Sequence, residues 1–391
     1  MVDANLASLP GSSSLSVQNR NVNASGFSFG SCAPRRPASR GTINAIRIMA
    51  TLVWTIPLPS STVVRRRTGH ENGLFQHPIQ RVDWIALSTD LYGHLILGTL
   101  RGEAVRCRGD WTPRRLLWRV YEHGLAGLLA EAIVRLGPRA DPVLIALLPD
   151  LHANAAAQEA VVRPKLQAAA EISAALDGAA VWVKGAALSS TVYEQPGLRT
   201  FGDLDLLTAP ASVPAVVGVL ERLGFAREGP ADSMAASYER SDPVGVVAVD
   251  LHWDFVEKDG PQGAVEIPID DILARSRPAG ALRVPSTEDS LLLGAANLVR
   301  SRVDRMVLLV DFARLAAAGP DWSAVRERAV AWRLRTSLWL GLALAKEHLG
   351  AAVPDEALEG LSPARWKTDL LRGMLGGSTL WARRKIRARA I

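Results

Sequence analysis

"GLRTFGDLDLLTAP", residues 197–210, sets two carboxylates, Asp203 and Asp205, two positions apart in an otherwise apolar run. Side chains two apart on a β-strand point the same way. Read as a strand, the run turns Leu204 and Leu206 towards a core and both acids to the opposite face, with their Cα atoms about 6–7 Å apart. Two unpaired carboxylates that close repel, and one is driven towards protonation. A divalent cation removes the conflict, and Mg²⁺ is satisfied by a few carboxylates, water and substrate phosphates. Solvated acids on an edge strand, or pairing with Arg199, also account for the pattern taken alone.

A second run weighs against those simpler accounts. "VAVDLHWDF", residues 247–255, places Asp250, His252 and Asp254 on one face of a strand and Val249, Leu251 and Trp253 on the other. Laid beside the first strand, it lets Asp250 complete a cluster of three carboxylates. His252 is an accessory candidate that could orient a ligand, although a satisfied histidine beside the site is the plainer reading. Asp254 falls where the strand should end and reads as solvated.

The third element is "VWVKGAALSS", residues 181–190, a short β-rich run that passes through Lys184 and Gly185 into a helical pattern. Backbone N–H groups at such a turn can meet a phosphate, and Lys184 adds a point charge there. An ordinary strand-to-helix turn with a surface lysine fits the same residues. No GxxxxGK[ST] is present, and the glycines at 197 and 202 are followed by Asp203, not by lysine, so no P-loop is encoded.

The surrounding chain has 391 residues, 48% apolar and 21% charged, enough for one large or two ordinary domains. Its net charge of +6 sits in the ends. Residues 1–80 hold eight Arg and no Lys against Asp3 and Glu71, and residues 365–391 hold eight basic residues against Asp369. Subtracting those +6 and +7 contributions leaves −7 for the body, which excludes a broad nucleic-acid footprint. The basic end "WARRKIRARAI" reads as solvated rather than as a phosphate-binding tail. Cys32 and Cys107 lie far apart without a CxxC partner, so neither a disulfide framework nor a zinc cluster is encoded and a cytoplasmic location is expected.

Four regions follow from texture. Residues 1–80, rich in Ser, Asn, Gly, Pro and Arg without a sustained period, are expected to be a disordered extension. Its apolar stretch 42–59 is interrupted by Arg47 and is short for a membrane span, so a dispensable or mis-started extension is expected rather than a targeting segment. Residues 81–177 follow a helical period, as in "LLWRVYEHGLAGLLAEAIVRL". Residues 178–275 alternate strand and helix signals, including "SVPAVVGVLERLG", a helix closed by Gly224. Residues 276–391 return to helical spacing, with "TED" at 287–289 as an N-cap signal.

Taken together, strand, "KGAAL", helix, "GLRTFGDLDLL", helix and "VDLHWDF" resemble the uncharacterised nucleotidyltransferase family of the DNA polymerase β-like superfamily. Members of that family occur in bacterial peptide-biosynthesis gene clusters. The flanks "RVYEHGLAGLL" and "VPSTEDSLLLGAANL…LVDFARL…DWSAV" are similar as well, so the resemblance covers about residues 82 to 350. It implies an α+β fold, with a small mixed β-sheet core flanked by N- and C-terminal helical regions. It also implies transfer of an NMP, or of phosphate, from an NTP to a small-molecule or peptide acceptor by a two-metal mechanism with Mg²⁺ or Mn²⁺. By position, Asp203, Asp205 and Asp250 are then the catalytic metal ligands, and Lys184, Gly185, Ser189, Arg199 and Gly202 the nucleotide-binding residues. The superfamily's usual Gly-Ser is here Gly185-Ala186, with serines only at 189 and 190. A non-catalytic nucleotide sensor that keeps the fold, and a helical interaction protein with a structural Asp-x-Asp, are the alternatives. No nucleic-acid or membrane partner is expected.

Overall fold

The computed structural model describes residues 91–375, apart from 108–111, 244, 257–264 and 302–304. The expected N-terminal extension with its apolar stretch, Cys32 and the basic end all lie outside the described residues.

Helices come first. Helix α1 (Leu91–Leu100) is followed by α2 (Pro113–Glu122), where Thr112 accepts the Arg115 amide and Pro113 supplies a proline-compatible first turn. Next come α3 (Ala126–Leu136) and the short α4 (Pro142–Ala146), capped by Asp141 on the Val143 amide. Helix α5 (Leu148–Leu176) then runs for 29 residues. Its buried positions Val162, Lys165, Ala169, Ile172 and Leu176 recur at three- and four-residue spacing, so one stripe faces inward. It ends where Asp177 and Gly178 take positive φ, which turns the chain into the sheet.

Five strands form that sheet in the order β1-β2-β5-β4-β3. They are β1 (Ala180–Val183), β2 (Leu204–Thr208), β3 (Ala226–Glu228), β4 (Ala235–Asp242) and β5 (Gly245–His252). Helix α6 (Lys184–Ser189) follows β1, and α7 (Val213–Arg222) follows β2. Strand β2 runs antiparallel to β1 and parallel to β5, while β4 joins β5 and β3 antiparallel. The sheet is therefore mixed, and β2 is a central strand, buried at all five positions. That position removes the solvated-edge account of its acid.

Each face of the sheet packs on different helices. Trp182, Leu204, Leu206, Val249 and Leu251 meet Ile172 of α5 and Val216 and Leu220 of α7 in one apolar cluster. Val181, Val183 and Leu207 point the other way, into a larger cluster built from the remaining helices. Alternation along β2 and β5 thus follows the expected pattern, with Asp205, Asp250 and His252 on the second face.

The chain then forms α8 (Ile269–Ala274), the hairpin β6 (Arg277–Ala279) to β7 (Leu282–Val284), α9 (Thr287–Arg300), α10 (Met306–Ala317), α11 (Trp322–Ala331), α12 (Arg335–Leu349), α13 (Asp355–Leu361) and α14 (Arg365–Leu375). The cap of α9 is Ser286, whose hydroxyl accepts the Asp289 amide at 3.1 Å, one residue ahead of the expected "TED". The Asp289 carboxylate is fully buried and held by Arg275 and Arg328, which ties α8, α9 and α11 together. Helices α10 and α12 touch through a glycine: a Cβ on Gly341 would sit 2.6 Å from the Phe312 ring. His123, buried at the end of α2, accepts the Met306 amide at 3.3 Å and links the first helical region to α10. Among the described residues no helix is long and apolar enough to cross a membrane.

Candidate functional site

In the parallel ladder between β2 and β5, Asp205 is paired in register with Asp250. Parallel neighbours in register send their side chains to the same face, so two carboxylates meet on adjacent strands. His252 lies two residues further along β5 on that face. Ligand atoms of Asp205, Asp250 and His252 all fall within 4.8 Å of one another. Those three residues form a candidate cation-binding group.

Asp205 is 4% exposed. Its Oδ1 lies 3.0 Å from His252 Nε2 and accepts a hydrogen bond from the Lys184 ammonium. Burial alone would raise this carboxyl, but the histidine hydrogen bond and the lysine charge outweigh it and hold it below its usual range. Asp250 is half-buried, and its Oδ1 accepts the Ser237 hydroxyl from β4 at 2.6 Å. The Nδ1 atom of His252 is buried without a hydrogen bond among the described residues. A buried polar atom without a partner costs free energy unless something meets it, so this nitrogen marks the cluster as incomplete in protein atoms alone.

Asp203 stands apart from that group. It precedes β2 by one residue and reaches solvent. Protein crowded around it strips part of its hydration, and the negative charges of Asp205 and Asp250 add repulsion, so its carboxyl is pushed up. Behind it, Lys165 of α5 donates to the carbonyl oxygens of Gly202, at 2.5 Å, and Phe201, at 3.4 Å. This buried lysine fixes the backbone that presents Asp203. Burial draws its ammonium pKa down, and Asp203 opposes that.

Lys184 and Gly185 connect β1 to α6. Lys184 takes a φ of +52°, a conformation that costs a non-glycine residue of order 1–3 kcal/mol unless its surroundings fix it. Its contacts do so here, since the ammonium binds Asp205 and lies 5.3 Å from the centre of the Phe255 ring. Gly185 is required by packing: a Cβ there would lie 2.5 Å from Phe201 Cβ. At Gly202, by contrast, a Cβ would meet nothing within 4 Å among the described residues, so they leave the backbone beside Asp203 open.

Two expected site residues are placed elsewhere. Arg199 points into a buried cluster, with Nε and Nη2 donating to Asp311 at 2.8 to 3.1 Å and Nη1 to the Thr200 carbonyl at 2.5 Å. Its partner is therefore Asp311 of α10, not Asp203. The Tyr193 hydroxyl completes the pair, donating to Asp311 at 2.6 Å. Ser189 is buried in α6, and among the described residues its hydroxyl makes no hydrogen bond, with the acids or otherwise. Asp254, expected to be solvated, accepts the Phe255 and Val256 amides and shapes the turn after β5.

Lys165, Ser237 and Asp311 were missed in sequence. Lys165 carried a faint signal, because it is a charge on the buried stripe of α5. Ser237 and Asp311 carried none, because their roles depend on strand pairing and on a helix 112 residues from Arg199.

No curated protein and no solved structure matches the chain significantly. Residues 110–350, which hold the sheet, the acid cluster and helices α2 to α12, match the sequence model of a family described as uncharacterised nucleotidyltransferase. Covering more than half of the chain, that match shows that this protein belongs to the uncharacterised nucleotidyltransferase family.

Proposed function

We propose that this protein transfers an NMP from an NTP to a hydroxyl of a small-molecule or peptide acceptor, with Mg²⁺ or Mn²⁺ in a two-metal arrangement. The observation that carries the reading is the in-register pairing of Asp205 with Asp250, with His252 in the same 4.8 Å group. Two carboxylates and an imidazole form a donor set for a divalent cation, and the imidazole suits Mn²⁺ at least as well as Mg²⁺. Asp205, Asp250 and His252 would hold the ion nearest the sheet, with Asp203 as the outer ligand. Bound cations supply Lewis-acid stabilisation of the charge that grows on the α-phosphate and on the departing oxygen.

The remaining work falls to the chain's own groups. Ser237 occupies Oδ1 of Asp250 and leaves Oδ2 to accept the proton of the acceptor hydroxyl. The acceptor oxygen then forms its bond to the α-phosphorus as the bond to pyrophosphate breaks. Lys184 stays bound to Oδ1 of Asp205 and adds its positive charge at the edge of the site where a triphosphate would lie. The open backbone at Gly202 lets phosphate oxygens approach beside Asp203. In this assignment the sheet and its connections within 178–275 perform the chemistry, and the helices that follow them help to hold the acceptor.

Incubation with α-labelled ATP, GTP, CTP and UTP, Mg²⁺ or Mn²⁺ and a cell extract tests the reading. Label should pass to an extract component in the wild type and fail to pass in Asp205→Asn and Asp250→Asn. Transfer that persists in both variants overturns the assignment. Transfer of γ-label alone redefines the reaction as phosphoryl transfer.

A further inference from the structure

One cavity lies against the acid cluster without being part of it. About 500 Å³ of empty space lies between its walls, part of it open to solvent. It has three main walls. Helix α9 contributes Ser290, Leu293, Gly294 and Asn297, and α10 contributes Leu308, Asp311, Phe312 and Leu315. Both sets recur at i, i+3, i+4 and i+7, so each helix offers one continuous face. The third wall is the end of β1 and the start of α6, including Val183 and Lys184. Val183 pairs in register with Asp205, and Lys184 binds Asp205, so this wall is also the edge of the acid cluster.

The charge balance of the lining limits what fits. Every charged group in it already has a partner: Arg199 is bound to Asp311, and Lys184 to Asp205. A charged ligand would lose its hydration and find no free counter-charge, which is unfavourable. The rest of the lining is mainly leucine, phenylalanine and proline, which favours an apolar body. Two polar groups remain unused. The Ser290 hydroxyl and the Asn297 carboxamide, two turns apart on α9, line the cavity, and no hydrogen bond of either side chain occurs among the described residues. Together they can both donate to and accept from a neutral group.

We propose that this cavity is the acceptor site, and that the acceptor is an uncharged, largely apolar molecule or peptide side chain bearing a hydroxyl. This rests on the transferase reading above. Asn297 and Ser290 bind its neutral polar group and the leucines and Phe312 its body, while the hydroxyl is presented past Lys184 to Asp250.

The test uses the full chain and three probes that share one body: 4-phenylbutan-1-ol, 4-phenylbutanoate and 4-phenylbutylamine, followed by saturation-transfer NMR without nucleotide or metal. The alcohol should bind at least about tenfold more tightly than the anion or the cation. Gly294→Leu fills the cavity from α9, where a Cβ would make only an ordinary 3.5 Å contact with Phe312, and should weaken the alcohol by about tenfold. Asn297→Leu keeps the volume and should weaken the alcohol severalfold while leaving butylbenzene unchanged. In the labelled-nucleotide assay, Gly294→Leu should lose transfer to the extract acceptor and keep its Mg²⁺–ATP thermal shift. Equal binding of the charged probes, alcohol binding untouched by Gly294→Leu, or full transfer in that variant would each overturn the proposal. If wild-type protein binds the alcohol but transfers no label, the transferase reading fails and the preference for a neutral ligand stands.

Discussion

Two buried polar clusters, one around Arg199 and one around Asp205, are built by opposite rules. Around Arg199, one guanidinium meets one carboxylate through two nitrogens, and Tyr193 adds a third donor, so charges cancel and the Asp311 oxygens are filled. Around Asp205, two carboxylates stand in register on adjacent strands, a third lies just ahead of β2, and a buried histidine nitrogen has no partner among the described residues. The first cluster is complete as protein. The second holds more negative charge than its own lysine neutralises. A structural ion pair fastens α10 to the segment before β2, whereas a cation site holds a deficit for something else to fill. That contrast makes Arg199 a structural fastening and leaves Asp205 in a candidate cation site.

Breaking the closed cluster should have the largest effect on stability. Asp311→Ala leaves the Arg199 guanidinium buried without a counter-charge, which costs about 3–5 kcal/mol in chemical denaturation. A loss under 1 kcal/mol would show that the pair is not what fastens α10.

A buried group outside both clusters provides the acid-stability control. Burial, with the nearby Arg101 charge, draws the His348 imidazole down to about 4 from 6.5. The folded chain therefore keeps it neutral while the unfolded chain takes a proton. Its contribution is complete above pH 6.5 and is lost as the pH falls towards 4, a loss of about 3 kcal/mol. Denaturation midpoints followed between pH 7 and pH 4 should fall less steeply in His348→Leu than in the wild type. Equal slopes would place the acid sensitivity elsewhere.

Gly185→Ala tests how tightly the site's backbone is packed. The added methyl meets Phe201 Cβ at 2.5 Å and Cγ at 2.7 Å, and overpacking of that kind costs about 1–3 kcal/mol. Because Phe201 leads into Gly202 and Asp203, transfer should fall by more than the stability loss explains. Unchanged stability would mean that the segment before β2 yields freely.

The smallest stability effect belongs to Asp250→Asn. It removes one of the crowded carboxylates and keeps an oxygen to accept the Ser237 hydroxyl, so stability should change by less than about 0.5 kcal/mol or rise. Transfer should nevertheless fall at least about a hundredfold. A large destabilisation here would make the open cluster a structural one.

How far the sequence reveals all this depends on the range of the forces involved. The alternation of β2 and β5 is local, so the acid face and the core face were both legible, and so was the chance that Asp250 meets the first acids. The expected α+β arrangement, a small mixed sheet between helical regions, is the one observed. Asp203 was placed on the strand, but β2 begins at Leu204 because the Gly202 segment is held by Lys165 from α5, a contact across 37 residues. Strands β3 and β4 went unread: β3 is three exposed residues, and in β4 only Ala236 and Tyr238 are buried, which is too brief an alternation to stand out. Arg199 and Ser189 were grouped with the nucleotide on closeness in sequence. In the fold, the first turns to an acid on α10 and the second turns inward on α6.

The central claim is that the open cluster is completed by a divalent cation that in turn holds the nucleotide. Thermal denaturation of the full chain with ATP, in Mg²⁺ or in chelator, measures this directly. Stabilisation of about 2.7 kcal/mol is expected at a hundredfold excess over Kd. It should need Mg²⁺ or Mn²⁺ and vanish in Asp205→Asn and Asp250→Asn. Equal stabilisation by ATP in chelator, or undiminished stabilisation in both variants, would contradict it.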